Sequence, residues 1–223
     1  MPVNEYFFTS EICNSTQPYL ILTDRSVKNI MSPRTPSKNE EIRQESMKRI
    51  KEAAFSLIAK QGYDATSIAQ IAKEAGVSKG LMYNYFESKE DLLEKLVTDA
   101  MKEGDHVIAQ LLNEDPSITL RNIIKWFFKE LRERPEYWRL MTELTFRIDK
   151  FKFVHDMATE KMKGYTVFIK ELLVKIDYPN PEGESKLVGA IFDGIAIQYL
   201  VIRDDYPLVE MEKFLIDKYC RKK

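Results

Sequence analysis

The stretch AGVSKGLMYNYF, residues 75–86, breaks a chain that is otherwise rich in helix-forming residues. Gly76 can adopt the left-handed backbone conformation, which costs an ordinary residue about 1 kcal/mol or more, so it predicts a tight turn. Ser78 is a suitable N-cap for a short helix that would begin directly after this turn and run to about Phe86. We therefore expect two short helices, one before Gly76 and one after Ser78.

The residues around this turn meet the requirements of a helix-turn-helix. Such a motif needs a small residue where the helices cross, a residue that tolerates positive φ in the turn, and an apolar residue after it. Ala72, Gly76 and Val77 supply these in order. Met82 and Phe86 would anchor the second helix to the core, which leaves the other side chains facing outward: Lys79, Gly80, Leu81, Tyr83, Asn84 and Tyr85.

In this geometry the second helix enters the major groove of DNA, and its N-terminal half meets the base edges. Gly80 lacks a side chain, so the helix could approach the DNA closely. The pattern therefore predicts that residues 79–85 read DNA. Two alternatives stay open: a helix-turn-helix that serves only for packing, and general nucleic-acid binding, which the balanced net charge of −1 disfavours.

The flanking sequence predicts an all-α fold. A first helix begins near Asn39 and ends at Gly62, Thr66 or Ser67 caps the second helix, and Ser88 caps a long fourth helix that joins both halves. The apolar residues of the first helix would face inward: Ile42, Met47, Ile50, Ala54, Leu57 and Ile58. Beyond the fourth helix we expect five more: 117–133, 136–149, 152–176, 184–203 and 207–221.

Composition excludes several other classes of protein. Cys13 and Cys220 lie far apart without a CxxC motif, and His106 and His155 are isolated, so no metal site, cofactor or disulfide is expected. The chain contains no GxSxG, HExxH or glycine-rich phosphate loop, so we expect no enzymatic activity. No uncharged apolar run reaches the roughly 18 residues of a membrane span, so a cytoplasmic protein is expected.

Residues 1–38 do not share the helical pattern of the rest. Residues 1–30 show no regular period and lack the features of a signal peptide, and the basic, polar segment MSPRTPSK follows at 31–38. We expect these residues to form an N-terminal arm. As an alternative, Met31 is the natural start and the first thirty residues are an upstream extension.

The run GYDATSIAQIAKEAGVSKGLMYNYFESKEDLL, residues 62–93, resembles the DNA-binding signature of the TetR family of bacterial transcriptional regulators. The resemblance extends from about Ile42 to Leu96. In the second half, FDGIAIQYLV at residues 192–201 is similar to the dimerising helix of that family. The resemblance implies a three-helix DNA-binding domain over residues 39–90 and an effector-binding and dimerisation domain over residues 91–223.

The resemblance also implies roles for individual residues. Lys79, Leu81 and Asn84 would read bases where Gly80 permits close approach. A lysine can bind guanine, an asparagine can bind adenine, and an apolar side chain can contact the methyl group of thymine. Four residues would contact phosphates: Ser67, Tyr83, Tyr85 and Lys89. Two basic residues of the arm, Arg34 and Lys38, could reach a neighbouring groove.

The second half offers a candidate effector pocket and a candidate dimer interface. Among its aromatic residues, those that would line a pocket for an apolar or amphipathic effector are Trp126, Phe127, Trp138, Phe146, Tyr165 and Phe168. An ordinary core is the alternative. Helix 184–203 is apolar nearly all round and should be buried on every face. With the last helix it would form the dimer interface, through Gly189, Ala190, Gly194, Ile197 and Leu215. Burial of the helix within one subunit is the alternative.

These expectations combine into a function. The protein would be a homodimeric repressor that binds a near-palindromic operator in double-stranded DNA and is released by a small effector. Because the fourth helix belongs to both domains, an effector that tilts it would change the separation of the two recognition helices. An activator or an effector-independent DNA-binding protein is the alternative.

Overall fold

The computed structural model describes residues 36–220, and within this range the regular structure is entirely helical, as expected. The helices follow in chain order: α1 Pro36–Gln61, α2 Ile68–Glu74, α3 Lys79–Tyr85, α4 Lys89–Gln110, α5 Pro116–Glu133, α6 Pro135–Thr145, α7 Lys152–Lys175, α8 Pro181–Ile202 and α9 Leu208–Tyr219. A single 3₁₀ turn, Arg203–Asp205, precedes α9. Residues 1–35 of the expected arm, with Cys13 and Met31, lie outside the described residues, whereas residues 36–38 belong to α1.

Serine caps begin the three helices that form and follow the predicted turn. Ser67 and Gln70 form a reciprocal capping box at α2, in which the Ser67 hydroxyl accepts from the Gln70 backbone at 3.2 Å. Ser78 and Ser88 accept equivalent bonds from the backbone three residues later, at 3.1 and 2.9 Å. Each bond satisfies a backbone N–H that the helix itself leaves unpaired. Between the alternatives for α2, Ser67 is therefore the cap.

Two glycines end helices in the left-handed region. Gly76 has φ +65°, and beyond it the Val77 N–H donates to the Ala72 carbonyl at 2.9 Å, which closes the turn between α2 and α3. Gly62 has φ +83° after the end of α1. The helix-turn-helix geometry expected from Ala72, Gly76 and Val77 is thus present.

The buried apolar side chains form two clusters. The first contains residues of α1, α2, α3 and the start of α4, together with Leu140 and Leu144 of α6 and Phe151 and Val154 at the start of α7. The second joins α5, the end of α7, α8 and α9. Parts of α6 and α7 therefore complete the core around the helix-turn-helix. The division between domains at residue 90 stays a prediction.

Three local expectations need correction. The helix predicted over 136–149 ends at Thr145, because the chain turns at residues 146–150. Ile42, expected to face inward, is 39% exposed, since it lies on α1 ahead of the first buried apolar residue, Ile50. Helix α8 is not buried on every face, since Val201 is 77% exposed in the single chain.

Helix α8 also passes a simple test for a membrane span. Among the described residues, the segment Pro181–Asp205 is long and apolar enough to cross a membrane, with a mean hydropathy of 1.5. One such helix is weak evidence, because helices that pack in soluble proteins pass the same test. Only 22% of its most apolar window is buried here, so much of this apolar surface is open.

Gly76→Ala and Gly80→Ala form a matched pair of substitutions. An added Cβ meets no atom closer than 3.8 Å at Gly76 and 3.9 Å at Gly80, so neither creates a steric clash. Gly76→Ala should reduce the free energy of unfolding by about 1 to 2 kcal/mol, because only this position needs positive φ. Gly80→Ala should be neutral or stabilise by up to about 1 kcal/mol, since it lies in a helix. Urea denaturation measures both; equal effects would contradict the assigned turn.

Candidate nucleic-acid interface

Helix α3 has one buried face and one open face. Met82 is 1% exposed and Phe86 is 2% exposed, so these two side chains fix the helix to the first cluster, as predicted. Tyr83, on the opposite side, is 53% exposed. Because the buried residues set its rotation, the open side of α3 is presented in a defined orientation.

The four candidate base-reading residues lie on α3. Lys79, Gly80 and Asn84 are exposed, and Leu81 is half-buried. The nearest heavy atom to a Cβ built on Gly80 is 3.9 Å away, so the backbone there is open to a close approach. These groups offer an ammonium donor, an amide and an apolar side chain on one short segment, which is the chemistry that distinguishes base edges in the major groove.

Tyr85 is half-buried, unlike Tyr83, and packs edge-on against Phe86 with the ring centroids 6.5 Å apart. The guanidinium carbon of Arg43 lies 5.9 Å from the centre of the Tyr85 ring. Arg43 belongs to α1, and its side chain is 53% exposed. No sequence pattern marks Arg43, because only the packing of α1 brings it beside α3. It places a cation next to the tyrosine expected at a phosphate.

Ser67 and Lys89 both have hydrogen-bond partners within the protein. Ser67 is exposed at the N-terminus of α2, and its hydroxyl donates to the side-chain oxygen of Gln70 at 2.9 Å. The ammonium group of Lys89 instead donates to the carbonyls of Tyr63 at 2.8 Å and Thr66 at 2.7 Å, and lies 4.1 Å from the centre of the Tyr63 ring. Burial lowers its pKa.

An ammonium group has three N–H donors, and these two bonds leave at most one for a phosphate. Lys89 therefore holds the α1–α2 connection, a role that the sequence did not reveal. The other basic candidates lie at the start of the chain: Lys38 is exposed on α1, and Arg34 lies outside the described residues.

The pocket candidates divide between the core and the surface. Phe127 is 2% exposed, stacks on Phe192 with the ring centroids 4.3 Å apart, and meets the edge of Trp138 at 5.3 Å. Trp126 and Phe168 are half-buried. The Trp138 indole N–H is buried and has no hydrogen-bond partner among residues 38–220.

Two pocket candidates lie partly or wholly at the surface. Phe146 is 75% exposed at the end of α6, so its expected place in a pocket is wrong for this conformation. Tyr165 is 43% exposed, and its hydroxyl donates to Asp105 at 3.4 Å. Burial, followed by the carboxylate of Asp105, raises the pKa of Tyr165 to about 12.

Three of the dimer candidates, Ala190, Gly194 and Ile197, belong to an exposed stripe on α8. The stripe consists of Leu187, Ala190, Gly194, Ile197 and Val201, which recur at intervals of three and four residues, as on one face of a helix. All five are exposed except Gly194, which is half-buried. Gly189 is exposed beside the stripe. Leu215, expected at the interface, is only 1% exposed and packs in the second cluster, so that expectation is wrong.

Among residues 38–220 there is no cluster of three or more His, Cys, Asp or Glu that could hold a metal ion. His106 Nε2 lies 2.9 Å from the Gln110 amide, and His155 Nδ1 lies 3.3 Å from Asp156. Both histidines are exposed. Each histidine contacts a neighbour within its own helix, His106 in α4 and His155 in α7.

Comparison with known proteins agrees with this geometry. The family profile described as "Bacterial regulatory proteins, tetR family" matches residues 50–96, which span most of α1 through the start of α4. YvkB of Bacillus subtilis (strain 168), an uncharacterized HTH-type transcriptional regulator, is 30% identical over 142 residues, which make up 63% of this chain and 69% of YvkB.

Solved structures share the fold of most of the described region. FadR from Bacillus subtilis in complex with stearoyl-CoA has a TM-score of 0.64 and 18% identity, over 78% of this chain and 98% of that chain. A transcriptional regulator from Saccharomonospora viridis in complex with choline has a TM-score of 0.70 and 21% identity, over 78% and 95%. At these identities the similarity shows the fold alone. From the profile and the YvkB match, the chain belongs to the TetR family, and it is therefore a DNA-binding transcriptional regulator and not an enzyme.

Proposed function

We propose that this regulator is a repressor that binds a near-palindromic operator as a homodimer and is released from it by a small apolar or amphipathic effector. The observation that carries the DNA-reading part is α3. Its buried residues Met82 and Phe86 fix its rotation, while Tyr83 and Asn84 stay exposed. A rigid helix with exposed hydrogen-bonding groups can read base edges without first losing conformational entropy.

Contacts to bases and contacts to phosphates come from different residues on and around α3. Lys79 and Asn84 donate to guanine and adenine, Leu81 meets a thymine methyl group, and Gly80 permits close approach. The phosphate contacts come from Ser67, Tyr83, Tyr85, Arg43 and the remaining donor of Lys89. These contacts set the register of the protein on the duplex without reading its sequence. Arg34 and Lys38 extend the contact toward a neighbouring groove.

The α8 stripe supports a two-fold dimer. Leu187 is 46% exposed, Ile197 38% and Val201 77%, so the single chain leaves a continuous apolar face in water. The small residues Ala190 and Gly194 lie within it and allow two copies of α8 to approach closely. Phe214 on α9 is also exposed, at 60%. A dimer would place two α3 helices about 34 Å apart or at a larger helical multiple, which requires a near-palindromic site.

An effector site in the second half is supported by the aromatic cluster around Trp138. The Trp138 N–H is buried and lacks an acceptor among residues 38–220, so a bound molecule with an acceptor oxygen would satisfy it. The rings of Phe127 and Phe192 lie close to Trp138 and would contact an apolar portion. The fold neighbours hold stearoyl-CoA and choline, so this architecture accommodates chemically different ligands.

We also propose a cytoplasmic location.

Selection of binding sites from a random duplex library, at about 0.15 M salt, tests the DNA-reading part. We expect enrichment of one consensus with two-fold symmetry, and a preference over random DNA of roughly 10³-fold or more. A consensus without symmetry would contradict the dimer. If no sequence is enriched, the sequence-reading role of α3 is wrong.

Asn84→Ala and Tyr83→Phe should separate base reading from phosphate contact. Asn84→Ala should weaken binding to the selected duplex by about 1 to 3 kcal/mol and relax the preference at one position of each half-site. Tyr83→Phe removes only a hydroxyl group, so it should weaken all sequences alike, by about 0.5 to 1.5 kcal/mol. Affinities for the consensus and for single-base variants of it provide the measurement. The assignment fails if both proteins keep the same sequence preference.

Val201→Glu should dissociate the dimer, because it introduces a charge into the exposed stripe of α8. Val174→Glu is the matched control, since Val174 is 52% exposed on α7, outside the stripe. Analytical ultracentrifugation should find Val201→Glu monomeric and Val174→Glu dimeric, and only Val201→Glu should lose tight binding to the two-fold site. A dimer that survives Val201→Glu would show that the interface lies elsewhere.

A further inference from the structure

The α1–α2 connection, residues 62–67, is held directly by the second half of the chain. The Tyr63 ring is 7% exposed and meets the edge of Phe151, with the ring centroids 5.0 Å apart. Phe151 is the N-cap residue of α7 and is 1% exposed. The effector-binding half is therefore linked to the helix-turn-helix at this connection, and not only through α4.

An ion-pair cluster lies at the surface of the same junction. Both Arg147 and Lys150 donate to the carboxylate of Asp64, the former at 2.6 Å. A second nitrogen of Arg147 lies 3.1 Å from Glu143 of α6. The ammonium of Lys150 and the guanidinium of Arg147 hold the pKa of the Asp64 carboxyl below its usual range.

The cluster joins the segment before α2 to the turn between α6 and α7. Asp64 lies three residues before Ser67, the cap of α2, and α2 packs against α3. Arg147 and Lys150 lie in the turn between α6 and α7, and α6 packs against α1. A displacement of this turn would be transmitted to the N-terminus of α2 through Asp64.

We propose that Asp64, held by Arg147 and Lys150, is a positioning residue for operator binding that sets the orientation of α2 and α3 relative to α6 and α7. This inference rests on the proposed DNA-reading role of α3. It adds a second path by which a ligand in the effector half would change operator affinity. Asp64 acts on DNA through this contact and does not touch DNA itself.

The sign of the effect separates positioning from simple electrostatics. A carboxylate near DNA repels phosphates, so its neutralisation would by itself strengthen binding. If Asp64 positions the helices, Asp64→Asn weakens binding although it removes a negative charge. An exposed ion pair contributes modestly, so we expect a loss of about two- to fivefold in operator affinity. The dependence of affinity on salt should keep its slope, because no phosphate contact is lost.

The test uses full-length protein and a duplex selected by the wild type, with affinity measured by fluorescence anisotropy well below the unfolding temperature. Asp64→Glu keeps the charge and should restore most of the affinity. Arg147→Gln should weaken binding, and adding Asp64→Asn to it should cause little further loss, because the two residues act together. Asp156→Asn is the matched control: its carboxylate accepts from Lys152 at 2.5 Å within α7, and it should not change affinity.

Three outcomes would overturn the inference. Asp64→Asn could bind as tightly as the wild type or more tightly. Its loss of affinity could match a loss of binding-competent protein in a stoichiometric titration, which would mean that Asp64 acts only on folding. The effects of Asp64→Asn and Arg147→Gln could be fully additive. A wild-type protein that enriches no duplex overturns the proposed function and the inference together, whereas the three outcomes above overturn the inference alone.

Discussion

The ammonium group of Lys89 fixes the helix-turn-helix to the rest of the molecule. Lys89 is the first residue of α4, and its ammonium group donates to the carbonyls of Tyr63 and Thr66 in the connection before α2. An ammonium group that is partly removed from water needs such acceptors, because an unpaired charge would cost far more. The start of α4 and the start of α2 are thus bound to each other. Through Tyr63, whose ring meets Phe151, the same connection contacts α7.

The features that the sequence predicts well are those decided within a few residues. Positive φ at Gly76 and the caps at Ser67, Ser78 and Ser88 involve bonds over at most five residues, so local chemistry determines them. The anchoring of α3 by Met82 follows from helical spacing alone. For this reason the helix-turn-helix and its open face could be predicted without any knowledge of the tertiary structure.

The contacts that the sequence did not reveal join residues far apart in the chain. Lys89 bonds to a carbonyl 26 residues away, and Asp64 pairs with Arg147 across 83 residues. Arg43 reaches Tyr85 only because α1 crosses beside α3. A basic side chain on a helix is equally consistent with solvent, a phosphate or an internal acceptor. Only packing decides between these, and for Lys89 it favours the internal acceptor.

The second half is harder to predict because one pattern has several solutions. A helix that is apolar nearly all round can be buried within one subunit or shared between two, and in the single chain α8 leaves Val201 77% exposed. Aromatic residues can fill a core or line a pocket. Here Phe127 is buried in the second cluster while Phe146 lies at the surface, although both belong to the same aromatic-rich region.

The central claim is that two copies of α3 read DNA from the major groove, and methylation interference tests it most directly. Methylation of guanine N7 blocks the major groove, whereas methylation of adenine N3 blocks the minor groove. If the claim is correct, guanine methylation will prevent binding in two clusters related by two-fold symmetry, about one helical turn or a multiple apart. Interference by adenine methylation alone, or in a single unpaired cluster, would contradict it.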